Sequence, residues 1–138
     1  MPPAEPLSRD EERTWAMLAH LSVLVNLITG LLGPVVALII YLVYKDRSRY
    51  VAYQSLQSLV MQLILWIGGS IVAATLWTIT GLLSMVCIGI LLIPAAILVS
   101  CLPLIAIIYG IIAGIQTYEG KDFEYWLIGA WLRKTMAA

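Results

Sequence analysis

The sequence predicts an all-α fold: a polytopic helical membrane protein with about four transmembrane or re-entrant helices and a C-terminal interfacial amphipathic helix. Three observations predict it. Of 138 residues, 62% are hydrophobic and 12% charged, against about 25% charged in an ordinary soluble domain. Residues 50–118 contain no Asp, Glu, Lys, Arg or His, and because roughly 20 apolar residues cross a bilayer, that stretch holds at least two crossings. The charged side chains fall instead into short segments around residues 5–13, 45–49 and 119–134.

The elements follow in order. Residues 1–8 form a short, Pro-rich polar tail, and residues 9–138 a single helical membrane domain. Acid and proline at the extreme N-terminus are the wrong flank for a cleavable secretory signal, so the first apolar segment is expected to stay as an anchor. Ser8 with Glu11 makes an S-x-x-E capping box, which predicts a helix over residues 9–29. Gly30, Gly33 and Pro34 interrupt it, and because Pro suits a first helical turn, a second helix is expected over 34–47. As one rod, the apolar block 15–44 would be about 45 Å long, too much for a hydrocarbon core of about 30 Å. A hairpin with its tip at Gly30–Pro34, spanning or re-entrant, fits better; three and four crossings both remain open. A third helix is expected over 50–77, with Thr78, Thr80, Gly81 and Ser84 as a break. A crossing over 90–118 follows, kinked at Pro103, and an interfacial helix over 122–134 carries Trp126 and Trp131.

With a hairpin at the start, Arg9, Arg13, Lys45, Arg47, Arg49, Lys121, Arg133 and Lys134 all share one face of the membrane. The positive-inside rule makes that face cytoplasmic, with both termini on it, in a bacterial inner membrane. Formal net charge is zero and the basic residues lie in small mixed clusters, so no nucleic-acid footprint exists. Cys87 and Cys101 lie in apolar sequence without ligand spacing and are expected to be buried free thiols.

Polar residues inside the apolar segments are the candidate sites. His20, the sole histidine, could relay protons or bind a ligand, but with no intramembrane acid nearby it is better read as bonded to a neighbouring helix. Gln54, Ser58 and Gln62 recur at i, i+4, i+8, and Gly69 and Ala73 continue that stripe; Ser22, Asn26, Thr29 and Gly33 form another. Amides in lipid need partners across helices, so the two stripes are expected to pack on each other. Gly110-x-x-x-Gly114 permits close helix approach, within or between protomers. No metal ligand set, cofactor motif, nucleophile–base pair or paired carboxylate is present, so neither a cofactor nor enzymatic activity is expected.

The strings EERTWAMLAHLS, GPVVALIIYLVYKDRSRYVAYQSLQS and IIAGIQTYEGKDFEYWLIGAWL carry an ordered set of short motifs. These are A-H-L-S, G-P, K-x-x-S-x-[FY]-V, L-Q-S-L and G-x-x-[FY]-x-Y, spread over residues 11–132. In that arrangement the chain resembles a widespread bacterial family of small membrane proteins that includes the magnetosome proteins MamF and MmsF, and more distantly the Tic-type subunit of the chloroplast import translocon. Many relatives carry His where this chain has Gln54 and Pro where it has Trp126, so a role for that His does not transfer. The resemblance implies a helical-hairpin membrane fold without known catalysis. Two functions compete: a non-catalytic accessory or scaffold subunit of a membrane assembly, and a small homo-oligomeric channel joined through Gly110 and Gly114, with His20, Asn26 and Gln62 lining its pore. The expected partners are the lipid bilayer and membrane proteins or further copies of the chain.

Overall fold

A computed structural model of the chain describes residues 4–137; residues 1–3 of the polar tail and residue 138 lie outside the described residues. The fold is all-α, built from five helical rods. The first comprises α1 (Arg9–Leu21), a 3-10 turn (Ser22–Leu24) and α2 (Val25–Thr29). Ser8 caps it as its sequence requires: the Glu11 amide donates to the Ser8 hydroxyl at 3.3 Å, and the Ser8 amide to the Glu11 carboxylate at 2.8 Å. The rod ends at Gly30, whose φ of +80° suits glycine.

The second rod is α3 (Gly33–Tyr44), with Pro34 in its first turn. It stops three residues before the expected end, because the amides of Arg47 and Ser48 fold back onto the Tyr44 carbonyl, both at 3.0 Å. Ser48 then caps the third rod by accepting from the Val51 amide at 3.2 Å. That rod runs unbroken through α4 (Arg49–Met61), a π-helical segment (Gln62–Gly68) and α5 (Gly69–Ser84). The expected break after residue 77 does not occur. Thr78, Thr80 and Ser84 instead bond back to carbonyls four residues earlier, at 2.7–2.8 Å, which hides their hydroxyls without interrupting the helix.

After a tight turn at residues 85–88, the fourth rod comprises a 3-10 turn (Gly89–Leu92), α6 (Ile93–Ser100) and α7 (Leu102–Tyr118). Pro94 and Pro103 both sit in first helical turns, so the rod's α-helix is interrupted only at Cys101 between them. The last rod, α8 (Ile128–Ala137), starts later than the expected residue 122. Residues 121–125 are non-helical, Gly120 and Leu127 take φ of +83° and +68°, and Phe123 and Tyr125 turn inward. Cys87 and Cys101 are exposed on the apolar exterior, not buried.

Two rods, Arg49–Ser84 and Gly89–Tyr118, are long and apolar enough to cross a membrane, whereas Gly33–Tyr44 is apolar but short. The 12 residues of α3 rise only about 18 Å. The molecule is thus a short hairpin laid against the lower part of a long one. α1 packs along α7, α4 and α3, and α8 lies on α4; further up, α5 and α6 pack only on the long hairpin itself. Both apolar core clusters belong to the four-helix base: Val23, Met61, Ala106, Ala113, Phe123 and Tyr125 form one, and Ala19, Ile40 and Val51 the other.

Candidate functional site

The largest fully buried side chains include His20, Gln54, Gln57, Gln62 and Asn26, all polar and all in the base. They form two bonded groups, one at the hairpin tip and one at the C-terminal segment. At the tip, the Asn26 carbonyl oxygen accepts from the Gly33 amide at 2.8 Å, serving as the cap that α3 lacks in its own sequence. The Asn26 amide donates to Gln62 Oε1 at 3.1 Å, and Gln62 Nε2 donates to the hydroxyls of Ser22 at 2.9 Å and Ser58 at 3.1 Å. Both hydroxyls donate to the Ala19 carbonyl, at 2.7 and 2.6 Å. The Trp66 indole closes the tip by donating to the Gly30 carbonyl at 2.7 Å.

Lower down, the non-helical segment is held by glutamines of α4. Gln57 donates to the Phe123 carbonyl and accepts from the Tyr125 amide, both at 2.9 Å, so its side-chain amide pairs with the backbone as a neighbouring strand would. Gln54 Nε2 donates to the same carbonyl at 3.0 Å and to Asp122 at 3.2 Å. A carbonyl can only accept, so the Gln54 nitrogen faces the segment and its oxygen faces His20, 2.9 Å from Nε2. The imidazole therefore carries its proton on Nε2, and its bare Nδ1 accepts from the Tyr125 hydroxyl at 3.1 Å. Burial pushes the Tyr125 phenol well above its ordinary value, so the donor proton stays in place. The Tyr53 and Tyr50 hydroxyls add bonds to the Gly129 and Lys121 carbonyls, at 3.0 and 2.7 Å. On the outer side, Arg133 pairs with Asp122 at 2.8 Å and Glu124 at 3.0 Å over the Tyr53 ring; the Asp122 bond and the Tyr53 hydroxyl raise its pKa further.

Among the described residues, no buried side-chain nitrogen or oxygen lacks a partner. An unpaired buried polar group costs about 1–3 kcal/mol, so closure of this network is what makes so polar an interior tolerable.

The sequence-predicted residues separate cleanly. Asn26, Ser58 and Gln62 meet in the group at the tip, and His20 and Gln54 in the group at the C-terminal segment. Thr29, from the same stripe as Asn26, is exposed and bonds back to the Val25 carbonyl. Gly69 leaves the Gln62 face after the π segment, and a Cβ there would come 2.8 Å from Leu102 of α7. Gly110 and Gly114 are covered by the first rod of the same chain: added Cβ atoms would meet Val23 at 2.5 Å and Leu21 at 3.1 Å. They join helices within the protomer and are not free to join two protomers. Asn26 and Gln62 bond to each other, and His20 bonds to Gln54 and Tyr125, so each of the three is engaged inside the fold and not along a common channel. Trp126 and Trp131 are exposed beside Leu127.

Sequence reasoning missed Gln57, Asp122, Phe123 and Tyr125. Gln57 stands off the i, i+4 stripe, and its partner is backbone, which has no sequence pattern. A signal did exist: Gln57 lies in the L-Q-S-L motif, and Phe123 and Tyr125 are the aromatic positions of G-x-x-[FY]-x-Y. The other motifs converge on the same base. Ser48, from the Lys45 motif, caps α4 and donates to Glu12, and Gly120 leaves room for the Arg13 guanidinium.

Fold and site together define a small α-helical membrane protein whose polar core is closed by its own C-terminal segment. The chain belongs to the MamF/MmsF magnetosome magnetite crystal formation protein family, which it matches over residues 11–132. No curated protein and no solved structure matches the chain.

Proposed function

We propose that the protein is a non-catalytic scaffold subunit of a membrane assembly, acting in the magnetosome membrane where its family takes part in magnetite crystal formation. One observation carries this reading: the buried polar side chains are satisfied within the fold, while the outward faces are apolar or lie in the charged basal rim. A closed interior offers structure and surface, not a reacting centre. The orientation places both termini and the basal charges on the cytoplasmic side, with the short hairpin dipping into that leaflet as a re-entrant element. The assembly partners are other membrane proteins or further copies of the chain, reached through lipid-facing helices and the Trp126–Trp131 surface.

The test is gentle solubilisation from native membranes, followed by cross-linking and identification of whatever remains attached. Stable co-purification of membrane proteins, weakened by Trp126→Ser with Trp131→Ser, is expected. A chain that always emerges as a solitary monomer would overturn the scaffold reading.

A further inference from the structure

The two hairpins differ in depth, and the difference is fixed by bonds. Asn26 to Gln62 and Gly30 to Trp66 hold the short hairpin's tip level with the π segment. From Trp66 the long hairpin continues to Ser84, about 27 Å further at 1.5 Å per residue. Below the tip four rods stand side by side with α8 beside them; above it only the long hairpin remains. With each helix about 10 Å across, the base occupies at least twice the cross-section of the distal pair.

The base is not simply standing in water. Val35, Ile39 and Val43 on α3 are exposed, and so are Leu31 and Leu32 at the tip beside Ile28, which is 91% exposed. That surface needs hydrocarbon around it, so the base displaces lipid in one leaflet. From the foot of α3 to Ser84 the apolar height is about 45 Å, which tilt or bending must bring within a core of about 30 Å. The tip lies two-fifths of the way along, which places it near the bilayer midplane. Trp126, Leu127 and Trp131 add insertion into the same leaflet at its headgroup boundary.

We propose that the protein is a membrane wedge: it crowds the leaflet on the side of its charged rim and favours bilayers in which that leaflet is convex. The partner is a strongly curved lipid surface bulging toward the charged face, as on a small vesicle or tubule budded to that side. No second protein is required, so this inference stands or falls apart from the scaffold reading, sharing with it only the membrane orientation.

The experiment adds fluorescently labelled full-length protein from dilute detergent to preformed liposomes of mixed neutral and anionic phospholipid, extruded to several diameters. Insertion from outside leaves the charged rim on the outer, convex leaflet. Protein density per lipid area is expected to be several-fold higher on the smallest vesicles than on the largest, and giant vesicles are expected to sprout outward tubules. Equal density at all diameters, or inward tubules, would overturn the proposal. Ile28→Ser with Leu31→Ser and Leu32→Ser makes the tip polar without touching any bond of the network. It should flatten the dependence on diameter while helicity by circular dichroism stays unchanged; an unflattened dependence in that folded variant would equally overturn the wedge.

Discussion

The base and the distal hairpin are made of the same kind of helix but are held together differently. In the base, amides and an imidazole are buried and bonded to one another, and irregular backbone is drawn in to complete them. In the distal pair, α5 with α6, the buried residues are small: Gly69, Ala73, Thr80, Gly89 and Ala96. Among the described residues, its one side-chain bond between rods is Trp77 to Ser100, at 2.9 Å. The difference teaches that hydrophobicity alone makes a membrane helix but does not choose its neighbour. Where several rods must take up one arrangement, directional bonds specify it; where two rods are joined by a tight turn, close approach of small residues suffices.

That contrast can be broken most directly at Gln54. Gln54→Leu leaves the His20 Nε2 proton without an acceptor and strips the segment of one hold, for an expected loss of about 3 kcal/mol. Reversible unfolding in mixed micelles, followed by tryptophan fluorescence, reads it; a loss below that of the distal variants would refute the division. Next in size is Gly110→Ala, whose new methyl would sit against Val23 and the His20 carbonyl, at about 2 kcal/mol of overpacking. Its distal counterpart Gly81→Ala meets nothing within 4 Å and should gain up to about 1 kcal/mol from helix propensity. The same assay must return opposite signs for the two glycines.

Smaller still is Trp77→Phe. Because Ser100 keeps its bond to the Ala96 carbonyl, the loss should be about 0.6 kcal/mol, typical of a hydrogen bond between membrane helices. The smallest effect is electrostatic. The Ser8 amide, then the Ser8 hydroxyl, hold the Glu11 carboxyl below its usual range. The group is therefore more acidic folded than unfolded, and its stabilisation is complete above the ordinary carboxylate pKa and fades as pH falls through the lowered one. Amide exchange at residues 9–12 should quicken over that acid range, after correction for intrinsic rates, while residues 20–24 stay protected.

How much of this was legible depends on what each feature is made of. The membrane character, the Ser8–Glu11 cap, the turn near Gly30 and the polar stripes were readable, because each is a local pattern of residue types. Continuity past residue 77 was not, since Thr78 and Thr80 look the same whether their hydroxyls end a helix or bond back along it. Nor was the inward turn of Phe123 and Tyr125. Their spacing suits an amphipathic helix, and only the left-handed backbone at Gly120 and Leu127 removes them from one.

The bonds that close the base also set an order in time. His20 and Tyr125 are 105 residues apart, which at about 5–20 residues per second of synthesis is a delay of about 5–20 s. Through that interval the imidazole Nδ1 waits in a nascent chain whose phenol partner has not been made. Water or lipid headgroups must serve in its place, so the early hairpin is expected to linger at the membrane surface and settle only when its last partner arrives.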